Sequence, residues 1–427
     1  MPFHIDSRAR RNQHYVYSGR SILVTNIDGW CTGAGTEGFY YNNTRFLSRL
    51  EASIDGAPLR PSAVSPAEAN TYLAYYEAAA GDAVPPRSLF LEHRAAVSDG
   101  LRCELLLANY TRDVPIAATL ELVLDADFAD SDEAETGVRL QQAPVDRSWP
   151  APDTLCLRYC HPQLHHQVSV TIEGLEVQPQ DGASLVRLPF SLPPRGSLTV
   201  VLAVAPIFEG VRRPSPRVVF PAPEIGLERV RHDMAAEAPR LKTSNRAVQA
   251  AWDTAVGDLT TFPLGLEGAP ALPMAGLPLY QQFFGRDALT ISWQSLLSGS
   301  RMLRDSLVAN AEWQGDRVDD FYDEQPGKMI HQARWGPLSA LKIDAFSRYY
   351  GDWATPLDFL VGLGQYLMWT GDRDTVRGLL PAARRVLDWI DVYGDPDGDG
   401  FLEYRTRSPV GVEHQGWKDS FDAIVDA

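Results

Sequence analysis

The sequence predicts a multi-domain β plus α protein, an N-terminal β-sandwich followed by a helical domain. Three observations carry this. Up to about Phe208, apolar and polar residues alternate in short runs, the period-two mark of half-buried strands. Prolines and arginines then gather between residues 206 and 239, as in Arg212-Arg213-Pro214-Ser215-Pro216 and Pro221-Ala222-Pro223, and read as a linker. After about Lys242 the apolar spacing becomes helical. The expected boundaries are 1–210 for the sandwich, 211–239 for the linker and 240–427 for the helical domain.

In chain order, strands are expected over 36–41 and 46–54, flanking the turn-rich Asn42-Asn43-Thr44, and then over 101–109, 117–128, 154–159, 168–173, 183–188 and 198–208. Many short strands with Gly and Pro between them suggest a sandwich. In the second half, Leu241, Val248, Trp252, Ala255 and Leu259 mark one helical stripe. Ala288, Ile291 and Leu296 mark a second, and Leu303, Leu307 and Ala311 a third. Leu357, Leu360, Leu363 and Leu367 mark a fourth; Ala383, Val386, Leu387 and Ile390 mark a fifth, with Pro381 expected in its first turn. Long connections rich in Gly and Pro separate these helices, and loops of that kind usually carry sites.

Composition narrows the function. With 44% hydrophobic and 22% charged residues the chain is globular. Its net charge of -16 disfavours a nucleic-acid partner and an anionic membrane surface, and suits a neutral substrate such as a carbohydrate. Four cysteines, Cys31, Cys103, Cys156 and Cys160, are too few for a disulfide scaffold; the last two are expected to be packing residues of a strand. The N-terminal residues lack an apolar signal core, and no apolar run reaches the roughly 18 residues that span a bilayer, so a cytoplasmic location is expected.

Four segments carry chemistry. Phe284-Gly285-Arg286-Asp287 enters the second helix, with Asp287 in the first turn, where the helix dipole favours a carboxylate. Arg286 and Asp287 form a donor–acceptor pair suited to sugar hydroxyls, although a capping Asp with an Arg ion pair would use the same residues. His331-Gln332-Ala333-Arg334-Trp335-Gly336 is a polar-aromatic loop with side chains able to contact a sugar. Asp395, Asp397 and Asp399 alternate before Gly400, matching the first half of a calcium loop with Glu403 at the ninth position. Thr406 stands where that loop would have its bidentate Glu, and a turn held by Asx hydrogen bonds needs the same residues without metal. Finally, Gln415-Gly416-Trp417-Lys418-Asp419-Ser420 joins an aromatic platform to a carboxyl group able to protonate a glycosidic oxygen.

The order of these segments resembles the bacterial glycogen-debranching, amylo-α-1,6-glucosidase family. Phe284-Gly285-Arg286-Asp287, Pro326-Gly327-Lys328-Met329-Ile330-His331, Tyr349-Tyr350-Gly351, Ala354-Thr355-Pro356-Leu357, Trp369-Thr370-Gly371-Asp372, the 393–404 segment and Gln415 to Ser420 follow one another in the family's sequence. In the first half, Asp125-Ala126-Asp127-Phe128-Ala129-Asp130 is the clearest match to the family's β-sandwich. The resemblance implies an (α/α)6 toroid and inverting hydrolysis of α-glucosidic bonds in an oligo- or polysaccharide such as glycogen, with no required cofactor. It makes Asp419 the general acid and assigns Phe284, Arg286, Asp287, His331, Trp335, Gln415, Trp417 and Lys418 to substrate binding.

The chain also departs from the pattern. Gln332 replaces the Glu that follows the loop His, and Gly336-Pro337 stands in place of a second Glu. The family's Asp-Ala-Thr-Pro reads Trp353-Ala354-Thr355-Pro356, with Asp352 one position early. The helical segments amount to about half a toroid, and none of the Glu residues here is assignable as the general base. The chain therefore reads as a truncated or frame-shifted product or the front part of a longer enzyme, with two alternatives: a non-catalytic carbohydrate-binding or truncated remnant lacking the general base, or a hydrolase of small glucosides or mannosides.

Overall fold

The computed structural model describes residues 13–81, 83–178, 184–219, 228–278 and 280–418. They form two compact units, one within Phe3–Ile225 and one within Gly226–Ala427.

The first unit is β-rich, and every strand pairing described in it is antiparallel. A nine-stranded sheet runs in the order Val145–Ala151, Thr154–Tyr159, Gln167–Glu173, Ser197–Phe208, Leu101–Asn109, Leu89–Val97, Thr71–Glu77, Arg60–Glu68, with Val211–Arg212 added to Ser197–Phe208. A five-stranded and a four-stranded sheet complete the layers. Alternation drives the stacking: along Leu101–Asn109 the residues Leu101, Cys103, Leu105 and Leu107 are fully buried while those between them are half-buried. The ring of Tyr41, from the four-stranded sheet, meets that of Phe208, from the nine-stranded sheet, at 5.7 Å. The expected 101–109 and 154–159 strands have these bounds. Strands at Arg60–Glu68, Thr71–Glu77 and Leu89–Val97 escaped the sequence reading. The Asn42-Asn43 turn has φ 50° and 60°, which places both residues in the left-handed region that a two-residue hairpin needs and that Asn tolerates.

The Asp-rich segment at 125–130 is structural. Asp127 accepts from Arg45 Nε at 3.0 Å and from Arg139 Nη1 at 3.1 Å. Asp130 caps helix α1 (Ser131–Thr136), and Glu133 closes a capping box with it. Arg60–Glu68 ends the large sheet, is exposed along almost its whole length and contains Pro61 and Pro66. Cys31, Cys103 and Cys156 are buried, whereas Cys160 is exposed, because the strand stops at Tyr159 and the chain leaves the sheet there.

In the second unit, helix α2 (Glu228–Glu237) lies within the stretch expected as linker, and α3 (Arg246–Thr261) follows the Asn245 cap. Next come α4 (Gly285–Gln294), α5 (Arg301–Glu312), the short α6 (Pro337–Ala340), α7 (Ala354–Thr370) and α8 (Arg373–Trp389). Helix α4 packs on α5 and α7, and α7 on α8. Their shared core includes Leu289, Leu303, Leu307, Met329, Phe359, Leu363, Tyr366 and Val386.

Two helical expectations shift. The buried face of α7 is Phe359, Gly362, Leu363 and Tyr366, turned from the Leu stripe so that Leu367 is exposed. Aromatic bulk and the close approach of Gly362 to Leu303 and Leu307 decide this face. Pro381 lies inside α8 and not in its first turn, because Asp372 caps the helix earlier through the Thr375 N–H at 3.1 Å.

Leu307 is fully buried in the α4–α5–α7–α8 core. Replacing it with Ala should cost about 2–5 kcal/mol in denaturant unfolding. A loss below about 1 kcal/mol would mean that these helices do not share one packed core.

Candidate functional site

The predicted sugar-contacting segments meet where α4 begins. Phe283–Phe284 is a two-residue strand paired with Gln332–Ala333, so the α4 segment and the His331 loop lie side by side. Gly285 permits the approach. Its N–H donates to the His331 carbonyl at 2.8 Å, and a Cβ there would stand 2.1 Å from the Ile330 carbonyl oxygen. His331 in turn donates its N–H to the Tyr349 carbonyl at 2.7 Å. Its ring is buried between those of Phe284 and Tyr349, at 5.8 and 5.7 Å.

Arg286 points inward from the first turn of α4. Its Nη1 lies 2.9 Å from Asp352 Oδ2, and the two side chains are 5% and 0% exposed. Asp352 also accepts the Ala354 N–H at 2.7 Å and the Thr355 hydroxyl at 3.0 Å. This resolves one departure from the family pattern: with Trp353 in the Asp position, Asp352 caps α7 from one residue further back. The Arg286 guanidinium sits 4.9 Å from the centre of the Trp417 ring, in cation–π contact. Trp417 remains 63% exposed, so one aromatic surface backs onto charge and the rest is open to solvent. Two residues earlier, Gln415 is buried; its carbonyl accepts the Trp353 N–H at 3.1 Å and its Oε1 the Lys328 ammonium at 3.4 Å.

The structure thus brings together Phe284, Arg286, His331, Gln415 and Trp417. Asp287 and Trp335 are half-buried on the same two segments, and Lys418 is exposed beside Trp417. Asp419 lies outside the described residues.

Sequence reasoning missed Asp358 and Lys328. Asp358 is half-buried on α7. Its carboxyl is pushed up to about 6 by burial and then by the neighbouring Asp352, with Arg286 opposing. A signal was present: Asp358 is the single charged residue of α7, set in Leu357-Asp358-Phe359-Leu360. Lys328 is buried and drawn down to about 8 by desolvation, against the pull of Asp323 and Asp352.

The acidic loop has ligand geometry. One oxygen from each of Asp395, Asp397 and Asp399 falls within 4.8 Å of the others, which could hold a divalent cation. The same carboxylates already accept backbone N–H groups, among them Gly398 on Asp395 at 2.8 Å and Phe401 on Asp399 at 2.8 Å. Glu403 is exposed, and its carboxyl is raised mainly by desolvation and then by the three Asp charges.

Comparison with known proteins places the first unit. Residues 16–203, within this β unit, match the model of the N-terminal domain of (some) glycogen debranching enzymes. Among solved structures, a putative kojibiose phosphorylase from human microbiome shares the fold with a TM-score of 0.55 at 8% identity. The alignment covers 87% of this chain and 56% of that one, so the chain spans little more than half of that protein's length. No curated protein sequence matches the chain. Among the described residues, no helix is long and apolar enough to cross a membrane.

Asp358 gives a pH signature. Its carboxyl titrates at about 6 in the folded chain, against an ordinary value of 3.8. Between those values the folded protein keeps a proton that the unfolded chain has lost, so stability falls as pH rises through that window. Asp358→Asn should remove this fall and gain on the order of 1 kcal/mol over the native protein at pH 7, the partial exposure of the site being allowed for. Parallel pH profiles of unfolding for the two proteins would refute the assignment.

Proposed function

We propose that this protein is an inverting glycoside hydrolase of the amylo-α-1,6-glucosidase, glycogen-debranching type, acting on α-glucosidic bonds of an oligo- or polysaccharide such as glycogen. The observation that carries the proposal is the buried Arg286–Asp352 pair lying under the exposed Trp417, two residues before Asp419 in sequence. Trp417 offers a platform for the apolar face of a pyranose, and the fixed charges beside it suit the hydroxyls at its edge. Asp419 acts as general acid on the glycosidic oxygen while water attacks the opposite face, activated by a carboxylate about 6.5–9.5 Å away. The glutamates described around the site do not suit that second role: Glu324 is ion-paired with Arg348 at 3.1 Å, and Glu403 and Glu413 are exposed. In this proposal helices α2–α8 belong to an (α/α)6 toroid. The substrate is the partner, with no nucleic acid and no membrane surface. The free cysteines fit a reducing, cytoplasmic setting.

A second reading, phosphorolysis, is favoured by the structural neighbour's description as a putative kojibiose phosphorylase. Phosphate would itself attack the anomeric carbon, and a carboxylate base would be unnecessary. Product analysis separates the two: glucose released from a branched limit dextrin supports hydrolysis, whereas glucose 1-phosphate formed only with added phosphate supports phosphorolysis.

Either chemistry needs the acid. Asp419→Asn should lower turnover on the order of a hundredfold or more, with little effect on melting temperature. Retention of full activity would exclude Asp419 as the proton donor.

The acidic loop is proposed to hold calcium through Asp395, Asp397, Asp399 and Glu403. Adding calcium to chelator-treated protein should raise the melting temperature, and Asp397→Asn should abolish the rise. Identical melting curves with chelator and with calcium would leave the loop as an Asx-bonded turn.

A further inference from the structure

The segment that carries Trp417 is an arm of loop, and something must hold it. Between Thr406 and Gln415 its polar groups converge on one buried carboxylate, Asp323, which is 3% exposed. Asp323 Oδ1 accepts the N–H groups of Arg407 at 2.6 Å and Ser408 at 3.1 Å. Its Oδ2 accepts the Tyr349 hydroxyl at 2.8 Å and the Gln415 amide at 3.2 Å. Tyr349 completes a second link, since its hydroxyl oxygen accepts the Val412 N–H at 2.9 Å. The backbone of Asp323 sits at φ 52°, a left-handed conformation that Asp tolerates better than most residues and that turns the carboxylate toward the arm.

The orientation of Gln415 is forced. Its Nε2 faces two acceptors, Asp323 Oδ2 and Thr406 Oγ1, while its Oε1 faces the Lys328 ammonium at 3.4 Å. Turning the amide over would set donor against donor at Lys328 and acceptor against carboxylate at Asp323. The arm is therefore read at its backbone by Arg407 and Ser408 and at its side chain by Gln415, all through one residue.

We propose that Asp323 is a positioning residue: it clamps the 406–415 arm and so sets where Trp417 is presented beside Arg286. The tie to sugar binding rests on the glycosidase reading above; the clamp does not. Asp323 itself acts only through the groups it holds.

The Arg407–Ser408 peptide bond supplies the test, because both N–H groups are bound to Asp323 while the Arg407 side chain is open to trypsin. In the native full chain, this bond should resist trypsin and the Arg407 and Ser408 amides should exchange slowly with deuterium. Exchange as fast as in an unstructured peptide would overturn the clamp without any variant. Asp323→Asn should speed cleavage at this bond on the order of tenfold and leave cleavage after Arg373 unchanged, since a charged acceptor is lost from a buried network. Adding Gln415→Glu should restore protection, because the amide introduced at position 323 can then donate to a carboxylate that also faces Lys328. Unchanged cleavage in Asp323→Asn, or no rescue in the double variant, overturns the proposal. Maltotriose affinity, measured by calorimetry on the native protein and on Asp323→Asn, should fall in the variant. Faster cleavage with unaltered affinity would keep the clamp and overturn its tie to a sugar site.

Discussion

The second unit is organised by one buried ion pair, Arg286–Asp352. Neither partner reaches water, so each depends on the other and on the hydrogen bonds around it. Leaving either one alone in this place would cost about 3–5 kcal/mol. The pair also fixes geometry. Asp352 caps α7 while holding an arginine from α4, so the beginnings of two helices are locked together by a single carboxylate. Trp417 lies over the guanidinium, which makes the aromatic platform answerable to the same charge.

Electrostatics around the pair is finely divided. Asp358 and Lys328 are both pulled away from their usual values by burial, in directions that weaken charge, while Asp352 and Arg286 stay paired. Such displaced groups gather where a protein does chemistry, although a structural network shifts titrations as well. What distinguishes this cluster is the aromatic face left open above it, in a chain whose residues 16–203 match the N-terminal domain model of debranching enzymes.

Much of this was legible in the sequence. Alternation located the strands at 101–109 and 154–159, and the 3.6-residue period located α4, α5, α7 and α8. The strands that escaped include one whose pattern is broken: Arg60–Glu68 is exposed on both faces and has no apolar alternation to detect. Motif order brought Phe284, Arg286, His331, Gln415 and Trp417 onto one list, and the structure places them together. Asp323 was not legible because its role arises from distant partners: it meets Arg407 and Gln415 at sequence separations of 84 and 92. Asp358 likewise takes its character from its surroundings, through burial and the nearby Asp352 and Arg286. Asp287 and Trp335, also expected to bind substrate, are half-buried on the same two segments.

The outermost strand of the large sheet, Arg60–Glu68, has a consequence for how this protein meets others. A long exposed edge is ordinarily a template on which a further chain can add its own strand. Here Pro61 and Pro66 interrupt the row of donors, and the pairing with Thr71–Glu77 slips register between Pro61 and Ala63 and again between Pro66 and Glu68. The edge is thus irregular in both hydrogen bonding and path. Strand-to-strand recruitment at this border is discouraged, which protects a β-rich domain from templated aggregation at the place where it is most open.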